Sequence, residues 1–378
     1  MTSSALEFIR GESVAEVAAK VAEARAGQRV PLVGDSRWTD EYWQGVCDTW
    51  RAMPLPEGAA WAALSSGTTG NPRLILRSEE SWSDSFEALN KLLQASASDV
   101  FYIPGSPASS LALFTFAHAA ALRAKVVGED QLASATIFHG TPSLFRSTLA
   151  KLSNTESPKL RVALIGGDSL DDHTRALAAK HSIRVISYYG AAELSFVAVD
   201  VDGGGFKPFD GVELKIIDNL LWVKSPYLAL GYLGVGGSLK ATPEGWATVG
   251  DLASFENGYL KIHGRADCAI QTAAVTVVPE DVEQALQNLE VVKQVVVFGL
   301  PNESIGNLVA AVLVFDEKFD ADLRSLLAVE AQAAKLLSPT HRPRVWFVAE
   351  SVPVTISSKP ARKLIQAAAI AGEYRKLV

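Results

Sequence analysis

A chain of 378 residues exceeds what one compact core usually organises, and with 48% hydrophobic and 20% charged residues it reads as a globular protein of two domains. Its formal net charge of -7 offers no electrostatic footprint for nucleic acid, and its two cysteines, Cys47 and Cys268, exclude a disulfide framework and a multi-cysteine metal site. The first residues contain no continuous apolar signal core, and the longest apolar run, Leu111 to Leu122, falls well short of the roughly 20 residues that span a bilayer, so a buried helix and a cytoplasmic protein without a membrane span are expected.

Short β-rich runs then alternate with helical patterns: "AAWAAL" from Ala59, "DVFYIP" from Asp99, "ATIFHG" from Ala135, "RVALIGG" from Arg161 and "RVISYYG" from Arg184. Between them, "SLFRSTLAKL" and "SLDDHTRALAAKH" space their apolar residues at helical intervals, so parallel strands joined by helices are predicted, with functional loops at the strands' carboxyl ends. From about Gly203 close-spaced strands and turns predict an antiparallel meander or small barrel, with Asn257-Gly258 as a hairpin turn. Beyond Asp267 a helix opening on Pro279, two strands, a further helix and the strand "RVWFVA" predict a small α+β domain.

One loop in this series carries chemistry. "SSGTTGNPR", Ser65 to Arg73, offers hydroxyls at Ser65, Ser66, Thr68 and Thr69, permissive backbone at Gly67 and Gly70, and a cation at Arg73, the ingredients of a nest that cradles phosphate. It lacks the Gly-Lys-Ser/Thr ending of a P-loop, which argues against an ordinary P-loop NTPase. In isolation a polar surface loop would read the same way.

The loop resembles the phosphate-binding loop of the adenylate-forming superfamily, which comprises acyl-CoA synthetases, peptide-synthetase adenylation domains and luciferases, and three further motifs follow in that family's order. "SYYGAAE" is similar to its Tyr-Gly-x-Thr-Glu signature, which implies that Tyr189 stacks on adenine and Glu193 helps to hold magnesium. "TVGDLASFENGYLKIHGRAD" resembles its Gly-Asp-Leu to Gly-Arg-x-Asp signature, which implies Asp251 on the ribose hydroxyls, Arg265 near ribose and phosphate, and Asp267 as the hinge of a mobile small domain. "PVTISSKPARKL" resembles the terminal loop whose lysine, here Lys359, drives adenylation. By the same resemblance Gly166, Gly167, Tyr188, Gly190 and Ala191 border the nucleotide, and His139, Gly190 and Ala191 the acid. The likeness runs from Leu64 to Leu364 and is greatest to short o-succinylbenzoyl-CoA synthetases.

It implies an α/β fold, with a large domain (1–266) of layered βα sheets and a small antiparallel β subdomain, shortened at its amino terminus, followed by a mobile α+β domain (267–378). The expected activity is ATP- and magnesium-dependent formation of an acyl-adenylate from a carboxylic acid, with Lys359, Glu193 and Arg265 catalytic and CoA as acceptor. A carrier-protein thiol or an amine is the alternative acceptor, and a non-catalytic nucleotide-binding homologue the alternative class. Ala192 replaces the motif's Thr, Pro107 stands where relatives carry a His, and Ala274 and Ser358 replace glycines. These departures touch the thiol step more than the adenylation step.

Overall fold

The computed structural model describes residues 5–65, 73–153, 159–167, 170–201, 203–234, 239–265, 270–272, 275–302, 306–355 and 359–377. Three sheets build the large domain and a fourth the small one.

The central sheet runs, in spatial order, Lys125–Val127, Val100–Tyr102, Ile137–Gly140, Val162–Gly166 and Arg184–Ala191, all parallel, and ends in the antiparallel strands Ser195–Asp200 and Lys207–Pro208. Its second strand in the chain lies outside its first, and the later ones follow on the other side. That leaves a topological switch point between Val100–Tyr102 and Ile137–Gly140, where such sheets open a crevice at their carboxyl ends. Residue alternation gives each face its own core: Phe101, Ile137 and Leu164 point to one, Tyr102, Phe138 and Ile165 to the other. The second core is closed by the helices Pro142–Leu152 and Asp172–Lys180, as their apolar spacing predicts.

The expected buried helix is Ser110–Leu122, capped by the Ser109 hydroxyl accepting from the Ala112 amide. It is apolar nearly all round because it lies between two sheets: its residues share a core with the central sheet and with Trp61 and Ala63 of the next. This second sheet takes the order Leu6–Ile9, Val30–Val33, Trp61–Ser65, Arg73–Arg77 and Gly231–Leu233. "AAWAAL" therefore does not belong to the parallel series in which its alternation placed it. Its strand pairs antiparallel with Arg73–Arg77, Ser65 opposite Arg73, so the hydroxyl-rich loop connects a hairpin and no helix N-terminus follows it. The first sixty residues, which no motif accounts for, supply two strands of this sheet and the helices Val14–Ala26 and Asp40–Arg51 that cover it.

The third sheet is the predicted meander. Its strands Asp251–Glu256 and Tyr259–Arg265 meet at Asn257 and Gly258, both with positive φ (52° and 83°), the geometry an Asn-Gly hairpin turn requires. In the small domain Val292–Asn302 and Gly306–Phe315 form a long antiparallel pair, Val345–Val348 runs parallel to the second, and the helices Pro279–Gln287, Leu326–Leu336 and Arg362–Ile370 pack on the sheet.

Candidate active site

The carboxyl ends of the parallel strands deliver Gly140, Gly166 and Ala191 to one edge of the central sheet, and the motif residues collect around it through a chain of contacts. Strand Gly231–Leu233 lies beside Leu74–Leu76, which puts Tyr232 next to the hairpin that carries the hydroxyl-rich loop. The Arg73 guanidinium sits 5.5 Å from the centre of the Tyr232 ring, and the Tyr232 hydroxyl donates to Glu193 Oε1 at 2.6 Å. Burial, with the Glu193 charge beside it, pushes the Tyr232 hydroxyl up to about 12, so it stays a donor at neutral pH. Four residues before Glu193, the Tyr189 hydroxyl donates to Asp251 Oδ2, and Asp251 is opposite Arg265 in the meander. The hairpin strand of Arg73 and the meander strand of Asp251 thus both connect to the short segment Tyr189 to Glu193.

Lys359 approaches from the small domain. Its backbone closes a tight loop: the Lys359 carbonyl accepts from the Thr355 amide at 2.7 Å, and its own amide donates to Thr355 Oγ1 at 3.3 Å. Arg362, the arginine of that motif, anchors the following helix by donating to Glu280 at 2.5 Å and to both oxygens of Glu283 at 2.9 and 2.7 Å. The Lys359 side chain reaches across to Gly167. A methyl on Gly167 would stand 3.2 Å from its Cε, and the φ of +94° there also favours glycine.

Several expected residues have structural duties that the motifs did not announce. The Tyr188 ring packs against Gly166, where a β-carbon would overlap it. Gly190 lets its strand approach the carbonyl of Ser195. His139 was expected to meet the acid, yet it is 2% exposed and both of its ring nitrogens are engaged. Thr115 Oγ1 donates to the Leu111 carbonyl and so accepts from His139 Nδ1, which leaves Nε2 to accept from the Tyr188 hydroxyl. Burial holds His139 neutral, down to about 3. In this arrangement no ring nitrogen is left for a ligand. Ala191 lies half-buried at the strand end, as a residue bordering a pocket would.

Ser66, Gly67, Thr68, Thr69, Gly70, Asp267, Ala274 and Ser358 lie outside the described residues, as do the side chains of Ser65 and Arg265. Sequence reasoning missed Tyr232 and Arg77. The only signal for Tyr232 was an aromatic residue between glycines in "LGYLG"; for Arg77 there was a lone cation ending an apolar strand.

Among the described residues no group of three or more carboxylates, histidines or cysteines is placed to hold a metal ion. Magnesium typically takes one or two carboxylates and completes its shell with phosphate and water. Glu193 meets the requirement: Tyr232 fixes one of its oxygens and, among the described residues, no hydrogen-bond partner takes the other. No described helix is long and apolar enough to cross a membrane.

A switch-point sheet and a small α+β domain that meet at a lysine form the architecture of adenylate-forming enzymes. Residues 5–233 match the AMP-binding enzyme family and residues 281–359 the AMP-binding enzyme C-terminal domain, and the chain belongs to this family. An uncharacterized acyl-CoA ligase, YhfT, of Bacillus subtilis is 27% identical over 342 residues, which cover 82% of this chain and 69% of that protein. ATP-bound MatB from Rhodopseudomonas palustris has the same fold (TM-score 0.79, 18% identity, 97% of this chain and 89% of that one). So does o-succinylbenzoate coenzyme A synthetase (MenE) from Bacillus subtilis in complex with ATP and magnesium ion (TM-score 0.70, 19% identity, 91% and 80%).

Proposed function

We propose that this chain is a cytoplasmic acid-thiol ligase that activates a carboxylic acid with ATP, releases pyrophosphate, and passes the acyl group of the adenylate to CoA. The observation that carries this reading is the reach of Lys359 from the small domain to Gly167 at the edge of the large one. There its ammonium can meet the charge that builds on the α-phosphate as the carboxylate attacks. The Tyr189 hydroxyl steadies Asp251, whose carboxylate would accept from the ribose hydroxyls, and the Tyr189 ring would stack on the adenine. Glu193, held by Tyr232, would hold magnesium, which when bound screens the phosphate charges. The large domain is taken as 1–266 and the small one as 267–378, turning about Asp267 to admit the thiol.

The acid substrate class suggested by MenE is an aryl dicarboxylic acid. The test is acid-dependent ATP–pyrophosphate exchange over a panel of such acids. Lys359→Ala is expected to lower exchange by about 10²- to 10³-fold, and full exchange in that variant would remove Lys359 from the mechanism. A second acceptor reading follows from Ala274, where a methyl would narrow a thiol channel. If acyl-hydroxamate forms at the normal rate but acyl-CoA does not, a carrier-protein thiol or an amine is the acceptor.

A further inference from the structure

Arg77 ends the strand that leaves the hydroxyl-rich hairpin, and it is 1% exposed. A charge so deeply buried is normally paired with a carboxylate, but among the described residues none lies within ion-pair distance of it. It is spent on backbone carbonyls instead. Nε and Nη2 both donate to the carbonyl of Ala192, at 3.0 and 2.8 Å, while Nη1 donates to the carbonyl of Tyr227 at 2.9 Å and to Ser81 Oγ at 3.2 Å. The guanidinium carbon lies 5.5 Å from the centre of the Trp82 ring.

The two carbonyls belong to the two segments that make the metal side of the site. Ala192 immediately precedes Glu193, and Tyr227 begins the segment that leads to Tyr232. A second bond ties the same segments together, the Ala229 amide donating to the Glu193 carbonyl at 2.8 Å, and a third ties one of them to the strand of Arg77, the Leu230 amide donating to the Leu76 carbonyl at 2.8 Å. One planar fork therefore sets the position of Glu193 relative to the hydroxyl that orients it. A lysine, with one point of charge, cannot span both carbonyls.

We propose that Arg77 is a positioning residue for magnesium-dependent nucleotide binding, acting through Glu193 and Tyr232 and touching neither nucleotide nor acid. This rests on the reading of Glu193 as the metal-holding carboxylate. Burial lowers the guanidinium to about 9 and the Glu193 charge works against that shift, so Arg77 is still charged at neutral pH. A fold that needed only to fill this space would use an apolar side chain at less cost.

The test is calorimetric titration with ATP in excess magnesium and with ATP in EDTA, alongside thermal unfolding, for the full chain and for Arg77→Lys, Tyr232→Phe and Glu193→Gln. The proposal expects Arg77→Lys to bind magnesium-ATP at least tenfold more weakly and metal-free ATP within about twofold of the parent chain. Tyr232→Phe, which removes one hydroxyl and keeps the ring, is expected to shift the same ratio in the same direction and decides the matter should Arg77→Lys not fold. Parallel weakening of both forms of ATP, or a lower melting temperature with no change in either affinity, would make Arg77 merely structural and overturn the proposal. Loss of the magnesium preference in Glu193→Gln but not in the other two also overturns it while leaving the role of Glu193 intact. An unchanged preference in Glu193→Gln would overturn both.

Discussion

Gly190 and Asp251 belong to motifs of one site and are fixed by unrelated physics. At Gly190 a β-carbon would overlap the backbone oxygen of Ser195 on the paired strand, and backbone cannot swing aside. Gly190→Ala is therefore expected to lose about 3 kcal/mol of stability, read as a lower denaturant midpoint; an unchanged midpoint would mean the strands separate freely. Asp251→Ala deprives the Tyr189 hydroxyl of its carboxylate acceptor, at a cost to stability of about 1 kcal/mol, and should weaken ATP binding by on the order of 100-fold, the worth of two charge-assisted hydrogen bonds to ribose. Equal ATP affinity in that variant would place the ribose elsewhere. Asp251 and Glu193 could be singled out in the sequence because the nucleotide contact proposed for them would demand one residue type at one place in a motif. Tyr232 and Arg77 could not, because they act on residues 39 and 115 positions away and no local pattern encodes such a pairing.

The helix Ser110–Leu122 carries two polar side chains into the space between two sheets, and each is paired there. Thr115 joins the His139 network, and His118 donates to Asn90 Oδ1 at 2.7 Å while its ring stacks on Phe86. Burial holds His118 down at about 4 and His139 at about 3, so both fold neutral, whereas the unfolded chain takes up protons near 6.5. The unfolded state thus binds more protons below pH 6.5. Stability is complete above that value and falls as the medium is acidified toward the folded values, by at most about 1.4 kcal/mol per pH unit for each histidine. Denaturant midpoints at pH 7 and pH 5 check this: His118→Gln should flatten the difference, and an undiminished difference would assign the acid sensitivity to carboxylates. That this helix would be buried could be read from its apolar run. Which sheets would enclose it could not, because "AAWAAL" and "ATIFHG" have the same period and only their partners, distant in the chain and invisible to a local pattern, send them to different sheets.

At the scale of the molecule, the small domain docks its helix Pro279–Gln287 on the strand Tyr259–Arg265 of the large one, with His263 Nδ1 3.9 Å from Asp281 Oδ1. Arg362 ties that helix to the helix behind Lys359 through Glu280 and Glu283. Arg362→Met would leave two carboxylates facing each other in a partly enclosed place and is expected to cost the small domain about 3 kcal/mol. It would show as faster proteolysis between residues 270 and 376 and as lost pyrophosphate exchange; a protease-resistant variant would show that packing alone holds the two helices.

Glu280 turns its other oxygen toward Gly264, into the volume a side chain would fill, and that oxygen is buried with no hydrogen-bond partner among the described residues. The notch at Gly264 therefore seats the carboxylate where any side chain would exclude it. A residue with a β-carbon there would press on Glu280 and displace the helix Pro279–Gln287, and with it the helix behind Lys359 to which Arg362 ties it.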